Sequence, residues 1–297
     1  MATGHPPRTM RNTIGLPSNR YQLLNWTTRT LIHLLALAGA AAFLVPFLWM
    51  ISTSLKPMEK IFQYPPQWMP DPILWRNYIE ALTVMPFGLY FRNSIYVTVL
   101  SVVGQILSSA VVAYGFARLR FPGRNILFII LLATMMLPWQ VTMIPLFILY
   151  RSLDWINTYY PLIVPNFLGG SPFFIFLLRQ FFLTLPLELD EAAKLDGCGP
   201  FRILWQILLP LAVPGLTTVA IFSFLWNWNE FLWPLIVLND VDKWTIPLGL
   251  NGFRDQYGTD WNHLMAASFV ASLPVIIIFF IFQGYFIQGI ATTGAKG

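Results

Sequence analysis

The sequence predicts an all-α integral membrane protein with six transmembrane helices, and three observations support this prediction. Only 10% of the 297 residues are charged and 56% are hydrophobic, whereas a soluble domain carries about 25% charged residues. The hydrophobic residues are gathered into six long runs. Lys and Arg are divided unevenly between the segments that connect the runs. We therefore expect lipid, rather than water, to cover most of the surface.

Each of the six runs is long enough for a helix that crosses a bilayer, which needs roughly 20 apolar residues. The first run, 31–52, is too long for the core of a signal peptide, so we expect a retained helix. The other five contain no Asp, Glu, Lys or Arg, and they are residues 93–117, 125–150, 158–178, 203–229 and 264–290. The strands of a membrane barrel would be short and alternating. Helices, which satisfy their own backbone groups in lipid, are the better interpretation.

In three of the runs we expect prolines to disturb the helix, because proline removes a backbone donor and bends or interrupts helices. We expect a bent or delayed start in the fourth run. In the third and sixth runs we expect kinks, which could be static or could bend during gating. The prolines concerned are Pro161, Pro165 and Pro172, then Pro138 and Pro145, and finally Pro274. In the second run, Gly104 and Ser108 have the small-residue spacing that allows close helix packing.

The distribution of cations predicts the orientation. With the N terminus inside, 11 of the 18 Lys and Arg residues fall in inner segments and 7 in outer ones. Such a bias is typical of cytoplasmic loops. The clearest local signal is the short loop 118–124, which has three arginines and no acid. We therefore expect both termini to be cytoplasmic and the protein to be a multi-pass component of the cell's inner (plasma) membrane.

The domain organisation follows from this orientation. We expect a cytoplasmic N-terminal tail over residues 1–29, a six-helix domain over 30–290 and a cytoplasmic C-terminal tail over 291–297. Two outer loops, 53–91 and 239–262, are rich in Trp, Pro, Tyr and Asp. They could form an interfacial cap, or they could be a dock for an extracytoplasmic partner.

The chain contains no pattern of a catalytic or metal site. Its three histidines are scattered, and its one cysteine, Cys198, excludes an intramolecular disulfide. No G-x-x-x-x-G-K-[ST] or H-E-x-x-H motif is present. The net charge of +5 is explained by the cationic inner loops, so we expect no nucleic-acid partner. We likewise expect no catalytic residue, no metal and no cofactor in this chain.

The segment between the fourth and fifth runs, residues 185–210, is unlike the other loops. Pro186 and the acids that follow it favour the start of a short helix. Gly197 and Gly199 favour its end, and Pro200 can open a second helix. Ala192 and Ala193 would leave a small surface that another protein could approach. The sequence therefore predicts a helix–turn–helix at the cytoplasmic face, which we call the 185–210 loop.

This loop resembles the EAA motif of binding-protein-dependent ABC importer permeases. The family pattern is E-A-A, three residues, G, nine residues and I-x-L-P. Seven residues match it without a gap: Glu191, Ala192, Ala193, Gly197, Ile207, Leu209 and Pro210. In that family the loop seats in a cleft of the ATPase subunit and transmits its closure to the membrane helices. The resemblance implies the same coupling role for these seven residues.

Shorter stretches resemble the MalG-like carbohydrate permeases of the same family. The longest is Trp226-Asn-Trp-Asn-Glu-Phe-Leu-Trp-Pro234 on the fifth run. The others are Ser54-Leu-Lys-Pro57, Arg92-Asn-Ser94, Tyr285-Phe-Ile-Gln-Gly289 and Gly294-Ala-Lys-Gly297, with Thr292 and Thr293 departing slightly from the small residues usual there. The large outer domain of some MalF-type partners is absent, which favours the MalG-like half.

The resemblance implies the ABC type I importer permease fold and a set of partners. Separate ATP-binding cassette subunits would bind ATP and Mg²⁺ and hydrolyse the nucleotide. A second permease subunit, MalF-like, would complete the translocation path, and an extracytoplasmic solute-binding protein would deliver a carbohydrate or related polyol. Glycerol phosphate or another non-sugar solute is the alternative substrate. Two alternatives belong to other classes. An ion-coupled secondary transporter would leave the loop unexplained, and a membrane enzyme would need paired titratable groups in a pocket, which the sequence does not offer.

The segment 226–233 is the candidate translocation pathway. Glu230 is the acid that interrupts the fifth apolar run, and an acid within a membrane segment suggests a functional site. Aromatic rings beside amides suit sugar recognition, because sugar C–H faces stack on rings while hydroxyl groups pair with amides. The candidate residues are Trp226, Asn227, Asn229, Glu230 and Trp233. A structural role, in which Glu230 closes hydrogen bonds or lines an outer gate, is the alternative.

Overall fold

The computed structural model describes residues 18–255 and 258–294 of the chain. Over these residues the protein is helical apart from turns and one short antiparallel ribbon, which confirms the all-α class. The backbone divides into two compact units, Met1–Ser52 and Thr53–Gly297. The first unit holds most of the first helix, and the second holds every other element.

The helices and strands follow one another with short connections. Three-residue or four-residue 3₁₀ turns lie between several of them. In chain order the elements are α1 (Ser18–Ser54), α2 (Arg76–Val84), α3 (Phe87–Arg118), α4 (Arg124–Ala133), α5 (Trp139–Ser152), α6 (Tyr160–Ile163), α7 (Pro172–Thr184), α8 (Glu188–Leu195), α9 (Pro200–Ile203), α10 (Leu209–Leu211), α11 (Val213–Asn229), α12 (Leu232–Val237), α13 (Ile246–Asn251), β1 (Arg254–Asp255), β2 (Gly258–Thr259) and α14 (Trp261–Gly294).

Six candidate spans account for the six apolar runs. Four helical segments are individually long and apolar enough to cross a bilayer, and they are Thr28–Ser54, Phe87–Arg118, Tyr160–Thr184 and Trp261–Gly284. Two more candidates are bent pairs of helices, α4 with α5 and the 200–211 helix with α11. If each bent pair is counted as one span, the number equals the six predicted.

The ends of the spanning region differ in detail from the predicted tails. Helix α1 begins at Ser18, inside the segment 1–29 that we expected to be a polar tail. Helix α14 ends at Gly294, beyond the predicted boundary at 290, and it runs through Pro274 without interruption. Residues 1–17 and 295–297 lie outside the described residues, and with them most of the predicted N-terminal tail and the last part of the predicted C-terminal tail. The division into domains stays a prediction.

The third span is sharply bent where proline was expected to disturb it. Helix α4 continues into a 3₁₀ turn at Thr134–Met136, and α5 starts directly after Pro138, at 97° to the first part. Proline has no N–H group to donate to Thr134, so the helical ladder ends there. Pro145 lies inside α5, which continues past it.

The fifth span is also bent, which the sequence analysis missed. A continuous helix from Pro200 to Leu211, with a π-helical turn at Leu204–Leu208, meets α11 at 81°. The junction is Ala212, whose backbone is not helical (φ −91°, ψ 11°). Pro214 removes the hydrogen bond to the carbonyl of Pro210 and places its ring against it. The run 203–229 thus forms one candidate span with a bend inside it.

The fourth span starts with a broken helix, as its prolines predicted. Helix α6 passes into a 3₁₀ turn at Val164–Phe167, and α7 begins only at Pro172. This broken segment packs against small polar residues of α3. Ser101 Oγ donates to the carbonyl of Leu162 at 3.0 Å, and Ser108 Oγ donates to that of Asn166 at 2.7 Å. Carbonyls that leave the helical ladder thus find donors within the protein, as the membrane requires.

Gly104 lies on the same face of α3, where the Phe167 ring comes very close. A Cβ atom built at Gly104 would be only 2.5 Å from Cδ2 of that ring. The predicted close packing around Gly104 and Ser108 is confirmed, and its partner is the broken start of the fourth span.

The buried side chains form three clusters around α3. The largest joins α3, α7 and the segment 203–219, and its members include Phe174, Leu178, Phe182, Ile203 and Leu208. The second joins α2, α3, α11 and α14, and the third joins α3, α6 and α12–α13. Helix α3 therefore contacts each part of the second unit in which a candidate site lies.

The exit from α1 is anchored on α2 through residues of the second unit. Asn77 Nδ2 donates to the carbonyls of Ser54 and Lys56 at 2.8 and 2.9 Å. The Lys56 ammonium is buried and donates to the carbonyl of Gln67. This burial lowers the pKa of Lys56 below its ordinary value. The Ser54–Pro57 stretch thus forms a fixed turn on the predicted outer side.

Candidate functional site: the loop at residues 185–210

Helix α8 begins as its sequence predicted. It covers Glu188–Leu195, and its first turn contains Glu188, Asp190 and Glu191. Carboxylates at this end interact favourably with the helix dipole and with N–H groups that have no partner inside the helix. Lys194 lies in the last turn, where a cation is favourable for the same reason.

Helix α8 ends in a Schellman motif at Gly197. The N–H of Gly197 donates to the carbonyl of Lys194 at 3.0 Å, and the N–H of Cys198 donates to that of Ala193 at 2.9 Å. Gly197 has φ +79°, a left-handed conformation that glycine adopts without steric cost. The Cys198 side chain packs against the largest core cluster. Cys198 therefore helps to close the turn.

The second half of the loop is the helix that Pro200 opens. Ile203, Leu204 and Leu208 are fully buried in the core. Ile207 and Leu209 are half-buried against the same cluster, and Pro210 is exposed. The I-x-L-P end of the motif therefore joins the loop to the core just before the bend at Ala212.

The two sides of α8 have different surroundings. Glu191 and Ala192 are exposed, and Leu195, an apolar side chain, is 90% exposed. Asp190 and Ala193, three residues apart and hence on one face, are buried. The expectation that both alanines form an approachable surface is thus wrong for Ala193. Its methyl group packs into the core, because the 3.6-residue period turns it away from Ala192.

An ion pair fixes the buried side of α8. Arg118 Nη1, at the end of α3, lies 3.3 Å from Asp190 Oδ2, and the two side chains are only 3% and 5% exposed. Arg118 Nη2 also donates to the carbonyl of Leu185 at 2.9 Å. The sequence analysis assigned Arg118 to orientation and Asp190 to the helix start, and it missed their pairing. Only opposite charge in two segments hinted at it.

The candidate pathway residues lie within 226–233, at the other end of α11. The structure does not bring all of their side chains together in one site. The Trp226 ring packs on α7, 5.0 Å from the ring centroid of Phe174. The Trp233 ring makes an edge contact with Trp139 on α5, at 5.4 Å between centroids. The structure brings Glu230 and Trp233 together, because the N–H of Trp233 donates to Glu230 Oε1 at 3.1 Å.

The amides and the carboxylate of this segment are engaged locally. Asn227 Nδ2 donates to the carbonyl of Ser223 at 2.7 Å, and Asn229 Nδ2 to that of Leu225 at 2.8 Å. Glu230 follows the last residue of α11 and satisfies an N–H in the first turn of α12. Hydrogen bonds of this kind, to backbone groups three or four residues away, are typical of the ends of helices. The residue of this segment that enters the core is Trp228, whose Nε1 donates to the carbonyl of Ala271 at 3.1 Å.

A cleft on the predicted outer side contains none of the five candidate pathway residues. It has a volume of about 390 Å³ and is lined by Tyr96, Tyr159, Tyr160, Asn157 and Lys243, among others. Within residues 18–255 and 258–294, no group of three or more His, Cys, Asp or Glu residues is arranged to hold a metal ion.

Comparison with known proteins relates this architecture to a transport family. Residues 105–292 match the family model described as "Binding-protein-dependent transport system inner membrane component". The matched region contains the 185–210 loop, both ends of α11 and the end of α3 at Arg118.

Curated relatives match over most of their length. The chain is 38% identical to the probable ABC transporter permease protein YurM of Bacillus subtilis, over 86% of this chain and 85% of that protein. It is 38% identical to the arabinooligosaccharides transport system permease protein AraQ of Halalkalibacterium halodurans, over 85% of this chain and 91% of that protein. It is 33% identical to the sn-glycerol-3-phosphate transport system permease protein UgpE of Yersinia pestis, over 87% of this chain and 94% of that protein.

A solved structure shows the same fold. A crystal structure of a bacterial ABC transporter involved in the import of the acidic polysaccharide alginate contains a chain that matches with a TM-score of 0.74. The two chains are 24% identical, over 92% of this chain and 99% of that one. The fold is thus that of an ABC importer permease. Together with the family match and the relatives, it shows that this multi-pass inner-membrane protein belongs to the family of inner membrane components of binding-protein-dependent transport systems.

Proposed function

We propose that this chain is one half of the membrane channel of an ATP-driven importer, coupled to separate ATPase subunits through the 185–210 loop. The exposed side of α8 carries this proposal. Glu191, Ala192 and Leu195 present a carboxylate, a small side chain and a large apolar side chain to the exterior. An exposed apolar side chain among charges is typical of a surface that a protein partner covers.

The anchoring of the loop supports a mechanical role. The Schellman turn fixes the end of α8, and the helix that follows is buried in the core as far as Ala212. A partner that pushes on α8 would therefore move the core cluster of α3, α7 and α11. Closure of the ATPase subunits, which would bind the ATP and Mg²⁺, would drive the spans between inward-facing and outward-facing states. In this arrangement both termini are cytoplasmic.

The remaining partners follow from the family. One chain with six candidate spans supplies half of a translocation path, so a second permease subunit, MalF-like, would complete it. An extracytoplasmic solute-binding protein would deliver the solute, in agreement with the description of the family. The fixed turn at Ser54–Lys56 and the loop that follows it are the surface we assign to that contact. Phe62, Tyr64, Trp68 and Trp75 are exposed there.

We propose a carbohydrate or a related polyol as the solute, because two relatives that are 38% and 36% identical to this chain over most of its length are named for sugars, AraQ and the diacetylchitobiose permease NgcG. AraQ is named for arabinooligosaccharides. The name of UgpE makes glycerol phosphate the alternative. Uptake of labelled arabinooligosaccharides, chitobiose derivatives and glycerol phosphate by the reconstituted complex tests the choice. We expect one of the two sugars to be taken up and glycerol phosphate not to be, and uptake of glycerol phosphate alone would select the alternative.

The coupling role is tested by Glu191→Lys. This change reverses a charge on the exposed side of α8 and leaves the buried Asp190 in place. We expect loss of co-purification with the ATPase subunit and loss of uptake. Glu59→Lys, which reverses an exposed acid on the predicted outer side, is the control for general charge effects. If Glu191→Lys left both ATPase association and uptake intact, the coupling role of the loop would be disproved.

A further inference from the structure

The inner end of α3 is the point at which three elements of the cytoplasmic side meet. Arg118 is the last residue of α3, Leu185 is the residue that ends α7, and Asp190 lies in the first turn of α8. One guanidinium contacts both of the others, through Nη1 to the Asp190 carboxylate and through Nη2 to the Leu185 carbonyl.

Burial makes this contact specific to its partners. Both charged side chains are almost fully excluded from solvent, and a buried charge that loses its partner is strongly destabilised. Arg118 Nε and Asp190 Oδ2 have no hydrogen-bond partner among the described residues, so the 3.3 Å contact between Oδ2 and Nη1 is an ion pair without a hydrogen bond. The guanidinium depends on Asp190 and Leu185 for its polar contacts, and the carboxylate cannot leave without exposing or stranding a charge. A displacement of α8 that keeps the pair intact would carry the end of α3 with it.

The acids of α8 consequently divide between two tasks. Glu188 and Glu191 are exposed on the side that we assign to the ATPase subunit, whereas Asp190 faces the core. The covalent path from α8 reaches α11 only through the Schellman turn, the 200–211 helix and the 81° bend. The ion pair gives a direct path from α8 to a different span.

We propose that the Arg118–Asp190 pair is a force-transmitting strut, in which Arg118 and Asp190 act as positioning residues that link the movement of α8 to α3. This inference rests on the proposed coupling function and adds the residues through which it reaches the second span. The strut moves α3 and α7 together, since the same guanidinium holds the end of α7. Helix α3 then carries the movement to the broken fourth span along its polar face.

A second arginine provides a matched control. Arg179 on α7 donates through Nε to the carbonyl of Phe116, at 3.3 Å, and its guanidinium lies 4.1 Å from the Phe128 ring centroid. It therefore ties α7 to the same end of α3, but no described contact joins its side chain to α8. Arg179→Gln perturbs this end of α3 without touching the strut.

The experiment uses the complex that co-purifies with this chain, reconstituted in liposomes, and measures solute uptake together with ATPase association. We expect Asp190→Asn to lower uptake about tenfold or more, within the usual range of coupling between sites, while ATPase association stays within about twofold. Asp190→Glu restores at least half of the uptake. The exchange of charges in an Arg118→Asp, Asp190→Arg double variant transports more than either single variant. Arg179→Gln stays within about threefold of the wild type.

Thiol labelling provides a readout besides transport. Cys198 is the one cysteine in the sequence, and it follows α8 in the Schellman turn. When the strut is broken, α8 is held less firmly, so we expect the rate of maleimide labelling of Cys198 to rise several-fold in Asp190→Asn. In Arg179→Gln it stays at the wild-type rate. Labelling of the membrane-embedded chain also reports whether the variant is folded, since an unfolded variant labels at the rate found in denaturant.

The outcomes separate the strut from the proposed function. If the wild-type chain associates with no ATPase subunit, the proposed function fails. If the wild-type complex transports and Asp190→Asn transports equally well with unchanged labelling, the strut alone is overturned. A loss of uptake that neither Asp190→Glu nor the charge exchange relieves also overturns it, because the ion pair is then not the cause. If Asp190→Asn no longer associates with the ATPase subunit but Cys198 is labelled at the wild-type rate, Asp190 belongs to the contact surface. That outcome also overturns the strut.

Discussion

The 185–210 loop and the segment 226–233 stand at opposite ends of the fifth span, and both are polar interruptions of an apolar chain. In the loop, the fold uses Asp190 and leaves Glu191 exposed. In the outer segment, the amides of Asn227 and Asn229 and the carboxylate of Glu230 all bond to backbone groups nearby. The amides and the carboxylate of the segment 226–233 therefore have a structural role at helix ends, whereas Glu191 has none in the fold and is available to the partner that we propose.

The largest expected effect lies in the outer segment, at Trp228 rather than at its candidate pathway residues. Trp228 is 3% exposed and bonds to the Ala271 carbonyl. Replacement of a buried large aromatic residue by alanine costs about 3–5 kcal/mol. We therefore expect Trp228→Ala to lower the temperature of thermal unfolding in detergent by much more than Trp226→Ala does, since Trp226 is 52% exposed. Equal shifts would contradict the assignment of Trp228 to the core.

The next effect concerns the turn that ends α8. A side chain at Gly197 would have open space around it, so the cost of Gly197→Ala comes only from the left-handed backbone and is about 1–2 kcal/mol. Gly199 also has open space but an extended backbone (φ −74°, ψ 165°). We expect Gly199→Ala to be nearly neutral and Gly197→Ala to weaken ATPase co-purification and lower the unfolding temperature. If the two variants behave alike, the Schellman turn does not position the loop.

A smaller effect on stability is expected at Glu230. It shows whether Glu230 satisfies the start of α12 or belongs to a solute site. Glu230→Gln retains an oxygen that can accept the N–H of Trp233, whereas Glu230→Ala removes it at a cost of about 1 kcal/mol, as for other helix caps. We expect Glu230→Gln to transport at about the wild-type rate, within twofold, and Glu230→Ala to be modestly less stable. Abolished transport in Glu230→Gln, with unchanged stability, would restore Glu230 as a pathway residue and remove the contrast with the loop.

The smallest effect is a pH dependence at Asp240, beyond the end of α12. Its Oδ2 accepts from Asn157 Nδ2 at 2.6 Å and from Lys243 Nζ at 3.0 Å, and these contacts lower the pKa of the carboxyl group. A lowered pKa in the folded state means that the carboxylate stabilises the fold above its ordinary pKa. This stabilisation is lost as the pH falls through the lowered value.

We therefore expect Asp240→Asn to lower the unfolding temperature slightly at neutral pH. The difference from the wild type should shrink as the pH is taken below about 4, the ordinary range of an aspartate. Asp242→Asn, two residues away, is the control. A difference that is constant over the whole pH range would show that the Asp240 carboxylate contributes no titratable stabilisation.

Much of this architecture follows from the sequence because lipid imposes simple demands. The lengths of the apolar runs give the six candidate spans, and the acids, Gly197 and Pro200 give the boundaries of the short helices around the loop. The resemblance at Glu191–Pro210 gives the family, which the comparisons confirm. None of these required knowledge of tertiary contacts.

Other features could not be derived from the sequence, each for a physical reason. In a run that is apolar on every side, periodicity does not show which face is buried, so the burial of Trp228 could not be predicted. The 81° bend at Ala212 depends on the core against which the preceding helix packs, and Pro214 alone does not specify it. The pairing of Arg118 with Asp190 joins residues far apart in the chain, and charge alone does not select a partner. The orientation of the termini stays a prediction.

The polar face of α3 has a consequence for how the protein is made. At the broken start of the fourth span, the hydroxyl groups of Ser101 and Ser108 donate to the carbonyls of Leu162 and Asn166. Alone in lipid, the Leu162 carbonyl would keep a donor of its own segment, Asn166 Nδ2 at 2.9 Å, whereas the Asn166 carbonyl would lose Ser108, at a cost of several kcal/mol. During synthesis α3 emerges first. We therefore expect membrane insertion of the fourth span to be favoured when it meets the second span early.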